Sequence, residues 1–99
     1  MIEKTESGIR VEGAMLNTNA TALLEAGRGF LRESGNTGCR SLCIDLSSVT
    51  DTDASALGVL FAWLRSAHQS SVELRIAHIP ASMVSQAKLY GVYENLPLA

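Results

Sequence analysis

The chain is poor in the residues that mark the more specialised classes of protein. It has two cysteines, two prolines and two histidines among 99 residues, and aromatic residues make up 5%. One cysteine pair cannot build a disulfide framework, and a zinc site would have to recruit both histidines. The apolar runs are far shorter than the ~18 residues that a membrane span needs. We therefore expect no metal, no cofactor and no direct insertion into a membrane.

Charge is also scarce. Charged residues are 18% of the chain, and the formal net charge is −2. A nucleic-acid-binding protein would carry a basic excess, so we expect no nucleic-acid partner. The apolar fraction of 46% and the length suit a single globular domain over residues 1–99. The N-terminal segment MIEKTES lacks the apolar region of a signal peptide, which favours the cytoplasm.

The most informative stretch runs from Leu42 to Ala67. Apolar residues alternate with others from Leu42 to Leu46, which predicts a strand with one buried side. Residues 47–55 are rich in serine, threonine and aspartate and predict a loop. Residues at helical spacing follow and predict one core-facing stripe, formed by Leu57, Leu60, Phe61, Leu64 and His68.

The junction between this loop and this helix is the predicted binding site. Asp53 is the expected N-cap, since its carboxylate can accept the free backbone N–H groups of the first turn. Ser55 then lies in the first turn and points outward. An apolar strip beside a hydroxyl-rich loop is typical of a small docking surface. Its predicted members are the loop residues Ser48, Thr50, Asp51, Thr52, Asp53 and Ala54 and the helix residues Ala56, Val59, Ala62 and Trp63.

The rest of the chain predicts an α/β fold. Strands are expected over Ile9–Met15 and Val72–His78, with a weaker edge strand in residues 1–7, and further helices over 20–33 and after Pro80. The order is therefore β-β-α-β-α-β-α. Glu73 and Arg75 give the last strand one wet side, so we expect a mixed sheet covered by helices on one face.

Enzymatic function is not indicated. A Ser–His–Asp triad needs a histidine within hydrogen-bond reach, but His68 lies more than three helical turns beyond Ser55. The chain has no G-x-x-x-x-G-K-[ST] phosphate loop. Asp45, Asp51 and Asp53 could bind magnesium, although a solvated capping loop is the commoner reason for such carboxylates. We therefore expect a binding module without catalysis.

These residues also carry a family resemblance. The strand end I-D-L-S at 44–47 and the segment D-A-S-A-L-G-V-L at 53–60 resemble the signature of the STAS domain, named after sulfate transporters and anti-sigma factor antagonists. In that family a D-[ST]-[ST]-G-L segment opens the second helix, and its second hydroxyl residue is phosphorylated in members that act as phosphoswitches. Ser55 occupies that position here. Ala54 replaces the first hydroxyl residue, and Ala56 stands where glycine is usual.

The resemblance implies the STAS fold and a partner protein. The segment Gln86–Val92 and the following Asn-Leu-Pro at 95–97 are similar to the small cytoplasmic STAS subunit of the Mla-type lipid-asymmetry ABC transporter, which binds the ATPase subunit. We expect such a phospholipid-transport role, at the inner face of the inner membrane through that partner. The alternative is an anti-sigma factor antagonist, switched at Ser55 by an anti-sigma factor serine kinase. A second alternative is a small-ligand-binding module that uses the cleft at the strand ends.

Overall fold

A computed structural model describes residues 2–99. Met1, which belongs to the predicted 1–99 domain and to the predicted edge strand, lies outside the described residues. In chain order the elements are β1 (Ile2–Lys4), β2 (Gly8–Val11), β3 (Gly13–Met15), α1 (Ala20–Asn36), β4 (Ser41–Asp45), β5 (Val49–Thr52), α2 (Ala54–Gln69), β6 (Glu73–Ala77), α3 (Ala81–Leu89) and a short 3₁₀ helix (Tyr93–Asn95).

The main sheet is mixed, as expected. Its strand order is β1-β2-β4-β6. The first pair is antiparallel and the other two pairs are parallel. The C-terminal tail then covers the outer edge of β6, because Ile76 N–H donates to the Pro97 carbonyl (2.9 Å) and Ala99 N–H donates to the Ile76 carbonyl (2.8 Å). That edge is thus partly occupied by the chain itself.

One face of this sheet is buried. Leu42, Ile44, Leu74 and Ile76 are buried, whereas Glu73 and Arg75, which alternate with Leu74 and Ile76 along β6, are exposed. This alternation is the pattern of strands that pack against helices on one side and meet water on the other. The expected α/β architecture is therefore confirmed.

Residues 49–52 depart from the expected loop. They form β5, which pairs in parallel with β3 through Gly13 opposite Val49 and Met15 opposite Thr52. The prediction was wrong because the hydroxyl-rich composition indicated a loop, whereas the pairing partner lies more than thirty residues earlier. Gly13 has a φ of +87° and the register shifts there, so the predicted first strand breaks into β2 and β3.

The prediction that this face of α2 points outward is also wrong. Ala56, Val59, Ala62 and Trp63 are buried, with Val59 5% exposed and Trp63 fully enclosed. The reason is that α2 contacts α1, α3 and β6, so most of the circumference of α2 is buried in the core. His68, which was expected to face the core, is exposed, and Phe61 and Leu64 are half-buried. The outward strip of α2 runs instead through Ala54, Gly58, Arg65 and His68.

Trp63 explains how closely α1 and α2 approach. Its indole N–H donates to the Leu24 carbonyl of α1 at 3.1 Å. The ring lies directly over Gly27, where an added Cβ would overlap the Nε1, Cε2 and Cζ2 atoms of the indole. The absence of a side chain at Gly27 therefore leaves the room that the indole occupies. By contrast, the Cβ position of Gly29, in the same helix, has nothing within 4 Å.

This contrast predicts opposite effects for one chemical change. Gly27→Ala should lower the free energy of unfolding by about 1–3 kcal/mol, because the added methyl group overpacks the contact with Trp63. Gly29→Ala should raise it by about 0.5–1 kcal/mol, because alanine is the better helix former and meets nothing there. Urea denaturation of the two variants measures both effects. Equal stability of the two would contradict this packing.

Candidate functional site

The N-terminus of α2 is fixed by Asp53, as the sequence predicts. Its backbone is extended, with φ −132° and ψ −171°, and its carboxylate accepts two backbone hydrogen bonds. One comes from Ser55 N–H at 2.8 Å and closes the cap of the helix. The other comes from Asn17 N–H at 2.9 Å, from the loop between β3 and α1. The Asp53 side chain therefore holds the loop between β3 and α1 against the start of α2.

The loop at residues 16–19 is part of this site. Ser55 Oγ lies 3.4 Å from Asn17 Oδ1, to which it can donate. Asn19 braces the loop, since its amide oxygen accepts from Leu16 N–H (2.9 Å) and its NH₂ donates to the Ala14 carbonyl (2.8 Å). Pairing of β3 with β5 brings this loop beside α2. The only sequence signal was the Asn-Thr-Asn cluster, which indicates a turn and a cap but no neighbour.

A third segment joins at the start of α3. Thr52 Oγ1 and Ser82 Oγ lie 2.7 Å apart and share a hydrogen bond. Ser82 is exposed. This contact links the end of β5 to the first turn of α3, and no pattern in the sequence indicated it, because the two hydroxyls are thirty residues apart.

The structure brings the loop half of the predicted site to the surface. Thr50, Asp51 and Ala54 are exposed, and Ser48, Thr52, Asp53 and Ser55 are half-buried. The four predicted helix residues are buried, whereas Gly58 is exposed one turn after Ala54. We name this region the α2 N-terminal surface, and it consists of Asn17, Thr18, Thr50, Asp51, Ala54, Ser55, Gly58 and Ser82.

Hydrogen bonding governs the electrostatics of this surface. The backbone N–H of Asn17, with further donation from Ser55, holds the pKa of the Asp53 carboxyl below its usual value, although partial desolvation opposes the effect. Asp53 is therefore ionised at neutral pH and lies beside the Ser55 hydroxyl. A negative charge added at Ser55 would be repelled by the Asp53 carboxylate, which is held in place by its hydrogen bonds as the helix cap.

The described residues offer little for other chemistry. Residues 2–99 contain no cluster of three or more histidine, cysteine or acidic side chains arranged to hold a metal ion. Within the same residues, no helix combines the length and the apolar character that crossing a bilayer requires. The α2 N-terminal surface offers hydroxyl groups, small side chains and the carboxylate of Asp51, next to the Asp53 cap of the helix.

Solved structures share this arrangement of elements. An anti-sigma factor antagonist from Mycobacterium paratuberculosis matches with a TM-score of 0.75 at 21% identity, over 99% of this chain and 81% of that one. A protein from Thermotoga maritima assigned to the same class matches with a TM-score of 0.75 at 14% identity, over 99% and 83%. The antagonist SpoIIAA, in its unphosphorylated form, gives 0.59 at 13%, over 90% and 81%. No curated protein matches the sequence.

These likenesses show the fold of the chain, which is the small α/β domain found in those antagonists. A family model described as "Mlab, STAS domain" matches residues 2–98, which is nearly the whole chain. The chain therefore belongs to the STAS domain family. The resemblance read from the segments at 44–47 and 53–60 is confirmed at this level.

The Asp53 cap predicts a specific pH dependence. Asp53→Asn keeps a capping oxygen but removes the charge, so the wild-type protein should melt at a higher temperature at neutral pH. Because the pKa is lowered in the folded state, this advantage is present above the unfolded value of about 4 and is lost as the pH falls below it. Melting curves between neutral and acidic pH test this.

Asp51→Asn serves as the control, because it removes an exposed carboxylate of β5, two residues before Asp53, that caps no helix. It should show no comparable gap. A difference between wild type and Asp53→Asn that stayed constant down to low pH would contradict the proposed role of the charge.

Proposed function

We propose that this chain is a non-catalytic STAS subunit that binds the ATPase of a phospholipid-transport ABC transporter of the Mla type. Two observations support the partner class: the family model that covers the chain is described as Mlab, and Gln86–Val92 with the Leu-Pro tail resembles such subunits. An ATPase of this kind works at the inner face of the membrane, so the proposal includes a cytoplasmic location.

The docking site in this proposal is the α2 N-terminal surface. The observation that carries it is the Asp53 carboxylate, which joins the loop at residues 16–19 to α2 and so holds exposed hydroxyl and backbone groups in fixed positions. A preformed surface loses little conformational entropy when a partner binds.

Small side chains suit this surface to close contact. Ala54 and Gly58 are exposed on successive turns of α2, and the Cβ position of Gly58 has nothing within 4 Å. A helix or loop of the partner can therefore approach the backbone of α2 closely. Thr50 and Ser82 are exposed as well, and hydroxyl groups of this kind can fix the orientation of a partner through hydrogen bonds.

A charged side chain at Gly58 tests the docking site. Gly58→Arg should weaken binding of the candidate ATPase at least about tenfold, because the side chain would occupy the space that the partner needs. Folding should be unaffected, since the new side chain points into solvent and glycine is a poor helix former. Calorimetric titration with the purified ATPase gives the affinity.

Gly29→Arg is the matched control, because Gly29 also lies within a helix and its Cβ position is also open. It should bind the ATPase as the wild type does. Unchanged affinity for Gly58→Arg, with melting curves that match the control, would move the interface elsewhere. Val59→Asp is unsuitable for this purpose because Val59 is buried.

An anti-sigma factor antagonist is the second candidate, and a specific observation favours it. Ser55 lies in the first turn of α2, and the hydrogen bond from its hydroxyl to Asn17 Oδ1 is long, at 3.4 Å. A kinase could reach it after a small local change. A phosphate there would add a charge of about −1.5 to −2 beside Asp53 and Asp51, and so repel a partner bound to this surface.

Phosphorylation by a candidate anti-sigma factor kinase distinguishes the two. If the chain is an antagonist, the kinase should transfer one phosphate to the wild type and none to Ser55→Ala, with Ser48→Ala as the control that is still modified. Intact-mass spectrometry measures the transfer. A kinase that leaves the wild type unmodified, together with an ATPase that binds it, favours the transporter subunit.

A further inference from the structure

A groove between α1 and the second half of α2 lies apart from the α2 N-terminal surface. Its volume is about 320 Å³. Helix α1 contributes one acidic and two basic side chains, and α2 with the residue that ends it contributes the others. The lining residues are Glu25, Arg28, Arg32, Ala62, Arg65, Ser66, Gln69 and Ser70.

The groove carries a positive excess. Three arginines face one glutamate, so the local formal charge is +2 in a chain whose net charge is −2. Glu25 is already paired with Arg28 at 3.3 Å. Arg32 and Arg65 form no ion pair with any of residues 2–99. Two guanidinium groups are therefore available to an anion.

Small residues form part of the groove lining. Ala62 is buried, and Ser66 and Ser70 are half-buried. The helices are close at this end, since a Cβ added at Gly35 would lie 2.8 Å from the Ser70 Cβ. Ser66, Ser70 and Gln69 supply uncharged hydrogen-bond donors next to the arginines.

We propose that this groove binds a phosphate group, carried either by a small phosphorylated molecule or by a phospholipid headgroup. Arginine is the side chain best suited to phosphate, because its planar fork can donate two hydrogen bonds to one phosphate group. The volume lies at the lower end of the ~300–1,000 Å³ typical of small-molecule sites, which favours a compact anion over an extended acidic peptide. The site goes beyond the proposed function, because none of its residues belongs to the α2 N-terminal surface.

Titration with pyrophosphate tests the site. Trp63 is the one tryptophan of the chain and adjoins Ala62 in sequence, so its fluorescence can report binding. Backbone amide shifts of residues 62–70 locate it. Arg32→Gln and Arg65→Gln should each weaken binding about fivefold or more, since each removes charge-assisted hydrogen bonds at a partly solvated site. Affinity should also fall with rising salt.

Two further variants sharpen the test. Arg75→Gln makes the same chemical change at an exposed arginine on the open face of β6, outside the groove, and should leave affinity unchanged. Glu25→Gln should strengthen binding a few-fold, because it removes the carboxylate that repels the anion and occupies Arg28. Since both positions are exposed, melting curves should stay close to that of the wild type.

A parallel experiment decides whether the phosphate belongs to a small soluble molecule or to a phospholipid headgroup. Vesicles of phosphatidylcholine with and without phosphatidylglycerol are compared with soluble pyrophosphate, using the same variants. Binding of either probe that requires Arg32 and Arg65 supports the site, and the probe that binds identifies the source. Absence of binding to both, equal loss in Arg75→Gln, or a poly-glutamate peptide that binds in place of both probes would overturn it. None of these outcomes bears on ATPase binding through the α2 N-terminal surface.

Discussion

The contact between Trp63 and Gly27 sets the position of α2, and the rest of the molecule depends on it. The indole lies where a side chain of α1 would otherwise be, and its N–H donates to the Leu24 carbonyl of the same helix. Helix α2 is thereby held against α1 while it also contacts α3 and β6. Trp63 is fully enclosed and is the largest of the buried side chains, so it anchors the core as well as the helix pair.

This packing decides what α2 can present to a partner. Because the apolar side chains of α2 pack against α1, α3 and the sheet, its exposed strip carries small and charged residues. The N-terminal end of that strip holds Ala54 and Gly58 beside the Asp53 cap, and the other half borders the arginine groove. One helix therefore has two chemically different surfaces. The first suits close contact with a protein, and the second suits an anion.

Local pattern predicted much of the fold and part of the site. The alternation of Leu42, Ile44 and Leu46 and the capping chemistry of Asp53 are properties of short segments, so they were visible in the sequence. The strand at Val49–Thr52 and the Asn17 contact depend on residues distant in the chain and were not. The prediction that Val59 points outward failed because apolar residues occupy nearly the whole circumference of α2. The sequence alone therefore does not show which side of the helix is exposed. That side is set by where α1 packs.

The most direct test of the central claim is hydrogen–deuterium exchange of this chain with and without the candidate ATPase. If the α2 N-terminal surface is the docking site, backbone amides at residues 16–19, 50–58 and 81–83 should exchange more slowly in the complex, because the partner covers them. The second half of α2 should be unchanged. Protection confined to residues 62–70, or to the exposed Leu89 and Tyr90 at the end of α3, would contradict the account.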